Sequence, residues 1–173
     1  MRAPSEWPQD VFRVLKDKGI ATVATIPDAG LTELLKLCAG DETVRLVTLS
    51  TEEEGIGLGL GVWLGGGRAL VCMQSSGAGN CINALALPAA TATPCLMLVT
   101  MRGQQGEGNP WQVPMGRGVR PAFEAMGVSC LEAQSADQVA PLFERAADLA
   151  FGEGRAVALL IAQSVLGIKR FGG

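Results

Sequence analysis

Three consecutive carboxylates, Glu52-Glu53-Glu54, stand between Ser50-Thr51 and the run Gly55-Ile56-Gly57-Leu58-Gly59-Leu60-Gly61. Acids at such a junction can cap a helix, where the positive end of its dipole favours them, or can hold a ligand's hydrogen-bond donor. Thr51 and Glu54 have capping-box spacing, with Thr51 as N-cap and Glu54 at the third helical position. That leaves one acid of the three to point along the edge of a sheet toward a ligand. Other segments are rich in polar groups: Ile26-Pro27-Asp28-Ala29-Gly30, Gln74-Ser75-Ser76-Gly77-Ala78-Gly79-Asn80, and the stretch from Arg102 to Val119, with Arg102, Arg117 and Trp111. In the second of these, Ser76 or Asn80 can cap a following helix, or hydroxyls and free N–H groups can hold a polar ligand. Asp28 either stabilises its own turn or orients a substrate or water.

Absences narrow the chemistry. The 173 residues contain no histidine and no tyrosine, which excludes Ser-His-Asp and Cys-His catalysis, histidine zinc sites and a histidine general acid from this chain. No GxGxxG follows the first apolar run and no GxxxxGK[ST] occurs, and the three glutamates would repel a phosphate at the helix start they precede. The glycines at alternate positions after them read as close helix packing. Cys38, Cys72, Cys81, Cys95 and Cys130 are odd in number, lack CxxC spacing and lie in apolar runs, so they read as buried thiols in a reducing compartment, with no metal site. A hydrophobic fraction of 48% against 18% charged excludes disorder, and 14 basic against 17 acidic residues with no basic tract argue against a nucleic-acid partner. The N-terminus lacks an apolar signal core and no apolar run reaches membrane length, so the expectation is a cytoplasmic protein without a membrane partner.

The elements that must position these groups follow from periodicity. Strands are expected at 20–26, 44–49, 69–73, 95–101, 128–131 and 156–162, and helices at 31–38, 52–64, 80–90, 121–126 and 136–150, with 102–119 as a long polar loop. Continuous apolar strands alternating with helices define a single α/β domain over residues 1–173, a mainly parallel sheet of about six strands covered on both faces. In such sheets ligands bind beyond the carboxyl ends of the strands, where the Asp28, Glu52, Gln74 and Arg102 segments all fall.

Taken in order, these segments resemble the pyrimidine-binding domain of thiamine-diphosphate-dependent decarboxylases, over roughly residues 8–165. The block EEEGIGLGLGVWLGGGRALVCMQSSGAGNCIN (52–83) carries most of the resemblance. The loop RGQQGEGNPWQVPMG (102–116) is similar to the branch that acts on sulfopyruvate or phosphonopyruvate. The family's carboxylate lies nine residues before the glycine closing the small-residue helix, which from Gly61 leads to Glu52. The resemblance implies that Glu52 holds the aminopyrimidine ring and favours its imino tautomer, with Gln74, Ser75, Ser76, Gly77 and Asn80 beside the cofactor. Because the sequence contains no GDG, the cofactor's diphosphate and Mg²⁺ are expected on a beta subunit with a GDG…N motif, in a hetero-oligomer. The implied substrate is a small anionic 2-oxoacid, 3-sulfopyruvate or phosphonopyruvate. Pro27, Asp28 and the cations Arg102 and Arg117 are its candidate contacts. A non-catalytic homologue and a carboligating thiamine-diphosphate subunit are the rival readings.

Overall fold

Six short strands supply the frame: β1 (Thr22–Thr25), β2 (Arg45–Thr48), β3 (Ala69–Gln74), β4 (Cys95–Thr100), β5 (Ser129–Ala133) and β6 (Ala156–Ile161). The computed structural model describes residues 6–167. Every pairing is parallel, in the order β2-β1-β3-β4-β6-β5. Strands β3, β4 and β6 are buried along almost their whole length, as continuous apolar runs require when both faces of a sheet are covered.

Alternate side chains of these strands feed two cores. Leu70, Cys72, Leu96, Leu98, Leu159 and Ile161 pack beneath α1 (Trp7–Asp17), α2 (Thr32–Ala39) and α7 (Ala136–Glu153). Val71, Met73, Met97, Val99, Ala158 and Leu160 pack on the other face, beneath α3 (Glu52–Leu64), α4 (Ser75–Cys81) and α6 (Val113–Ala125). Short helices α5 (Ala86–Thr91) and α8 (Gln163–Leu166) complete the described chain. The fold is thus an α/β domain with a six-stranded parallel sheet and helices on both faces. From β1 the chain passes to β2 on one side and then to β3 on the other, so the crevice between the carboxyl ends of β1 and β3 is the switch point where such sheets take ligands.

Several elements depart from the periodicity. The expected loop 102–119 turns helical at Val113, with Pro114 in the first turn, where its missing N–H costs nothing. Gly116 lies inside that helix because a β-carbon there would stand 2.2 Å from the carbonyl oxygen of Arg102. The helix expected over 80–90 is instead two: α4 begins directly after β3 at Ser75, and α5 follows a turn. Helix α1 is an addition, with Trp7, Val11 and Leu15 buried at helical spacing and a proline in its first turn. Among the alternating glycines of α3, close packing holds for Gly55, whose β-carbon would meet Val71 at 2.6 Å, but a β-carbon at Gly57 or Gly61 would meet nothing within 4 Å beyond the helix's own backbone. Four of the cysteines are buried and Cys130 is half-buried; all are free, and burial pushes the thiols of Cys81 and Cys95 up to about 12. Among the described residues no helix is long and apolar enough to cross a membrane.

Candidate active site

Glu52 is the first residue of α3. The chain reaches it from β2 through an extended Thr51 (φ −148°, ψ 152°), so the carboxylate enters the helix at the carboxyl edge of the sheet. It is only 9% exposed. Oε2 accepts a hydrogen bond from Nδ2 of Asn80 at 2.8 Å. The rest of the carboxyl group lies on Gly77, where a β-carbon would stand 2.0 Å from Oε1. Glu53 and Glu54 are exposed. Thr51 makes no capping bond with its side chain, and Glu54 accepts instead from the N–H of Ser50 at 2.8 Å. The capping box is therefore realised in one direction only, and one residue earlier than its spacing implies. Of the three acids, Glu52 alone turns inward.

A second group spans the switch point. Gln74, at the end of β3, donates through Nε2 to Oδ1 of Asp28 at 2.7 Å, and its Oε1 accepts from the Ser76 hydroxyl at 2.8 Å. Oδ2 of Asp28 accepts from Thr100 Oγ1 at 2.9 Å and from the N–H of Gly30 at 3.0 Å. Asp28 is therefore both a turn-stabilising residue and a carboxylate held at the centre of the crevice. Neither Ser76 nor Asn80 caps a helix: both lie within α4 and turn to Gln74 and Glu52. Ser75, expected beside the cofactor, is fully buried, and its hydroxyl accepts from the N–H of Arg102 at 3.0 Å. Its side chain thus fastens β4 to α4 and is withdrawn from the crevice. Pro27 is exposed on the turn before Asp28.

The two arginines differ. Arg117 is exposed on α6. Arg102 is buried and paired with Glu107, through Nε at 2.7 Å and Nη2 at 2.6 Å. Those bonds, with the backbone N–H groups of Gly103 and Asn109, hold the Glu107 carboxyl well below the usual carboxylate range against the opposing effect of burial. Thr100, Gln104, Glu107 and Gln163 all belong to this edge; Gln104 and Glu107 lie in the loop that carries part of the resemblance, and none of the four is among the site residues expected from the sequence. Gly103 and Gly106 flank the loop with φ of +74° and +87°, the sole local trace that it is tightly folded.

The fold and the site define an α/β protein with a crevice at the carboxyl edge of a parallel sheet, where such folds take ligands, and an inward carboxylate, Glu52, seated on Gly77. The family model of the thiamine pyrophosphate enzyme N-terminal TPP binding domain matches residues 7–140. A Methanococcus maripaludis protein named sulfopyruvate decarboxylase subunit alpha is 30% identical over 152 residues, 87% of this chain and 91% of its own. The phosphonopyruvate decarboxylase of Streptomyces viridochromogenes is 36% identical over 110 residues, 62% of this chain and 28% of its own. A solved 2-oxoglutarate:ferredoxin oxidoreductase from Magnetococcus marinus superposes with a TM-score of 0.72 at 16% identity, over 94% of this chain and 29% of that one, and shares the fold. This chain belongs to the thiamine pyrophosphate enzyme family, as its N-terminal TPP-binding domain.

The residues present fit the pyrimidine half of that cofactor. A buried carboxylate, tethered by one amide and seated where a side chain on Gly77 would displace it, is an acceptor of the kind that holds a ring N–H.

Proposed function

We propose that this chain is the alpha subunit of a two-subunit thiamine-diphosphate-dependent 2-oxoacid decarboxylase, which converts 3-sulfopyruvate to sulfoacetaldehyde and CO₂. The observation that carries the reading is the inward Glu52 carboxylate, bonded to Asn80 and seated on Gly77. When bound, thiamine diphosphate supplies the electron sink for loss of CO₂. Glu52 would hold the aminopyrimidine ring through a charge-assisted hydrogen bond, with Gly77 and Asn80 beside it and Gln74 and Ser76 continuing the wall. Burial of Glu52 keeps competing water from that bond. With no histidine in the chain, Asp28 would orient substrate or a proton-carrying water; its hydrogen bonds from Gln74, Thr100 and the N–H of Gly30, which fix the carboxylate, support that role.

In this reading the diphosphate and Mg²⁺ belong to a beta subunit bearing a GDG…N motif, a motif that residues 1–173 do not contain. Two observations support a partner. The relative covered over 91% of its length is itself named a subunit alpha. Helix α3 also leaves Gly57 and Gly61 open and Leu64 76% exposed, an apolar surface of the kind that a second chain covers. The phosphonopyruvate decarboxylase relative favours phosphonopyruvate as a second substrate, since both anions ask for similar donors.

The test is reconstitution with a GDG-bearing chain, thiamine diphosphate and Mg²⁺, followed by CO₂ and product analysis on 3-sulfopyruvate, phosphonopyruvate and pyruvate. Sulfoacetaldehyde with stoichiometric CO₂ is expected. A stable complex that releases CO₂ from none of the three overturns the reading, and a carbon–carbon ligation product selects the carboligase.

A further inference from the structure

Glu107 accepts from five donors: Nε and Nη2 of Arg102, the N–H groups of Gly103 (3.0 Å) and Asn109 (2.9 Å), and Nε2 of Gln163 (3.0 Å). Its side chain is 2% exposed. The same loop is laced to the end of β6 by a reciprocal pair, with the Gln104 N–H on Gln163 Oε1 at 3.0 Å and the Gln163 N–H on Gln104 Oε1 at 2.7 Å. A guanidinium is a rigid planar fork. With its Nε–Nη2 edge taken by Glu107, the orientation of the whole group is set.

Nη1, on the other edge, makes no hydrogen bond among the described residues. Arg102 lines a cavity of about 60 Å³ together with Asp28, Gly30, Gln163 and Leu166. That space is well above the roughly 10–15 Å³ that a single water needs, so it admits a small polar group. Asp28 is the other carboxylate facing Arg102 electrostatically. Its oxygens are taken by Gln74, Thr100 and the N–H of Gly30. Were Arg102 free to swing, Asp28 would attract it and an ion pair across the cavity would close the space.

We propose that Glu107 is a positioning residue: it pins Arg102 so that the Nη1 edge faces this cavity and receives an oxygen of the sulfonate or phosphonate at C3 of the substrate. The inference rests on the decarboxylase reading and adds a specificity device to it. Among the described residues the cavity is lined by one cation, Arg102, and one carboxylate, Asp28, with Glu107 paired to Arg102 beside it, so in this proposal recognition rests on the direction of the N–H groups. A lysine at 102 keeps the charge but cannot grip Glu107 on one edge and offer a second.

The experiment uses the reconstituted two-chain enzyme and compares kcat and KM on 3-sulfopyruvate and pyruvate, with the inhibition constant of sulfoacetate as a readout independent of turnover. Glu107→Gln and Arg102→Lys should each lower the sulfopyruvate-to-pyruvate ratio of kcat/KM by roughly ten- to a hundredfold, mainly through KM for sulfopyruvate. The sulfoacetate constant should rise by a similar factor. Equal losses on both substrates would make the pair a scaffold for the loop and overturn the proposal. So would tighter sulfoacetate binding in Glu107→Gln, which would mean that the acid merely opposes the anion. Should Glu107→Gln fail to fold, Arg102→Lys decides alone, and an unchanged ratio there overturns the proposal. If the wild-type enzyme decarboxylates neither substrate, the decarboxylase reading has failed. Calorimetric titration of sulfoacetate into wild type and Arg102→Lys then still reads the subsite, and equal affinities overturn it.

Discussion

Oε1 of Glu52 occupies the place where a side chain on Gly77 would begin: a β-carbon there would lie 2.0 Å from that oxygen. The two residues belong to successive strand–helix units, Glu52 at the start of α3 and Gly77 in the first turn of α4. Nothing in the backbone at 77 calls for glycine, since its φ is not positive. The requirement comes from the approach of the carboxylate, which also receives the Asn80 amide from the next turn of α4.

Gly77→Ala should therefore act on the site through Glu52. Its carboxyl group must swing aside or α4 must shift, and a displacement of about 1 Å in a reacting site can cost on the order of a hundredfold in rate. Overpacking should add about 1–3 kcal/mol of destabilisation. Turnover of the reconstituted enzyme and the melting midpoint of the chain check the two effects. Full activity in Gly77→Ala would mean that Glu52 does not need this position.

Much of the frame was legible because a parallel sheet covered on both faces demands continuous apolar runs, and 69–73, 95–101 and 156–162 supply them. Glu52 was singled out only through the resemblance, by its distance from Gly61, and the structure turns that carboxylate inward onto Asn80. Helix α4 was not, because Ser75-Ser76-Gly77-Ala78-Gly79 carries the local marks of a turn. The reason for its glycines is tertiary: Glu52 lies on Gly77, and Met115 approaches Gly79 to 3.4 Å. Gly116 misled in the same way, since its need is set by the Arg102 carbonyl. Glu107 stands inside the loop that carries part of the resemblance, but its contact with Gln163 was not legible, because the two lie 56 residues apart and only the adjacency of β4 and β6 brings them together.

The open glycines of α3 predict two opposite effects from one substitution. Gly57 and Gly61 stand one turn apart on a helix face, and a methyl added at either would meet nothing within 4 Å. Alanine at either should stabilise the isolated chain by about 0.5–1 kcal/mol, read as a higher melting midpoint. If the proposed beta subunit packs on this face, its affinity, measured by titration, should fall because the added methyl stands in the contact. A higher midpoint with undiminished affinity would remove this face from the interface.

Glu107 predicts an acid-sensitive loop. Hydrogen bonds from Arg102, then from the N–H groups of Gly103 and Asn109, lower its folded value beneath the ordinary one near 4.5. A depressed carboxylate contributes its stability in full above the ordinary value and loses it as pH falls from there toward the lowered one. Arg102 stays protonated throughout. Between pH about 5 and about 3 the wild-type melting midpoint should fall more steeply than that of Glu107→Gln, and the amide protons of Gly103 and Asn109 should exchange faster. Parallel slopes for the two proteins would show that the ion pair does not hold the loop.

The three glutamates separate by what each touches. Glu52→Gln preserves size and can still meet Asn80, but it removes the charge that a held ring nitrogen would feel. If that bond acts in the chemical step, exchange of the cofactor's C2 proton in the reconstituted enzyme should slow on the order of 10²–10³-fold. Glu54→Gln still offers an oxygen to the Ser50 N–H, so the helix start should survive and exchange should stay near wild type. Glu53 is exposed in the first turn, where a carboxylate is worth about 0.3–1 kcal/mol to the helix and nothing to the crevice. Exchange is measured by NMR for each variant beside its melting midpoint, so that a loss of fold is not read as a loss of chemistry. Abolition of exchange by Glu53→Gln or Glu54→Gln, with Glu52→Gln active, would transfer the role to an outward acid and reject the site described above. Wild-type exchange in all three would leave the chain without a carboxylate on the pyrimidine, and the non-catalytic homologue would be the better account.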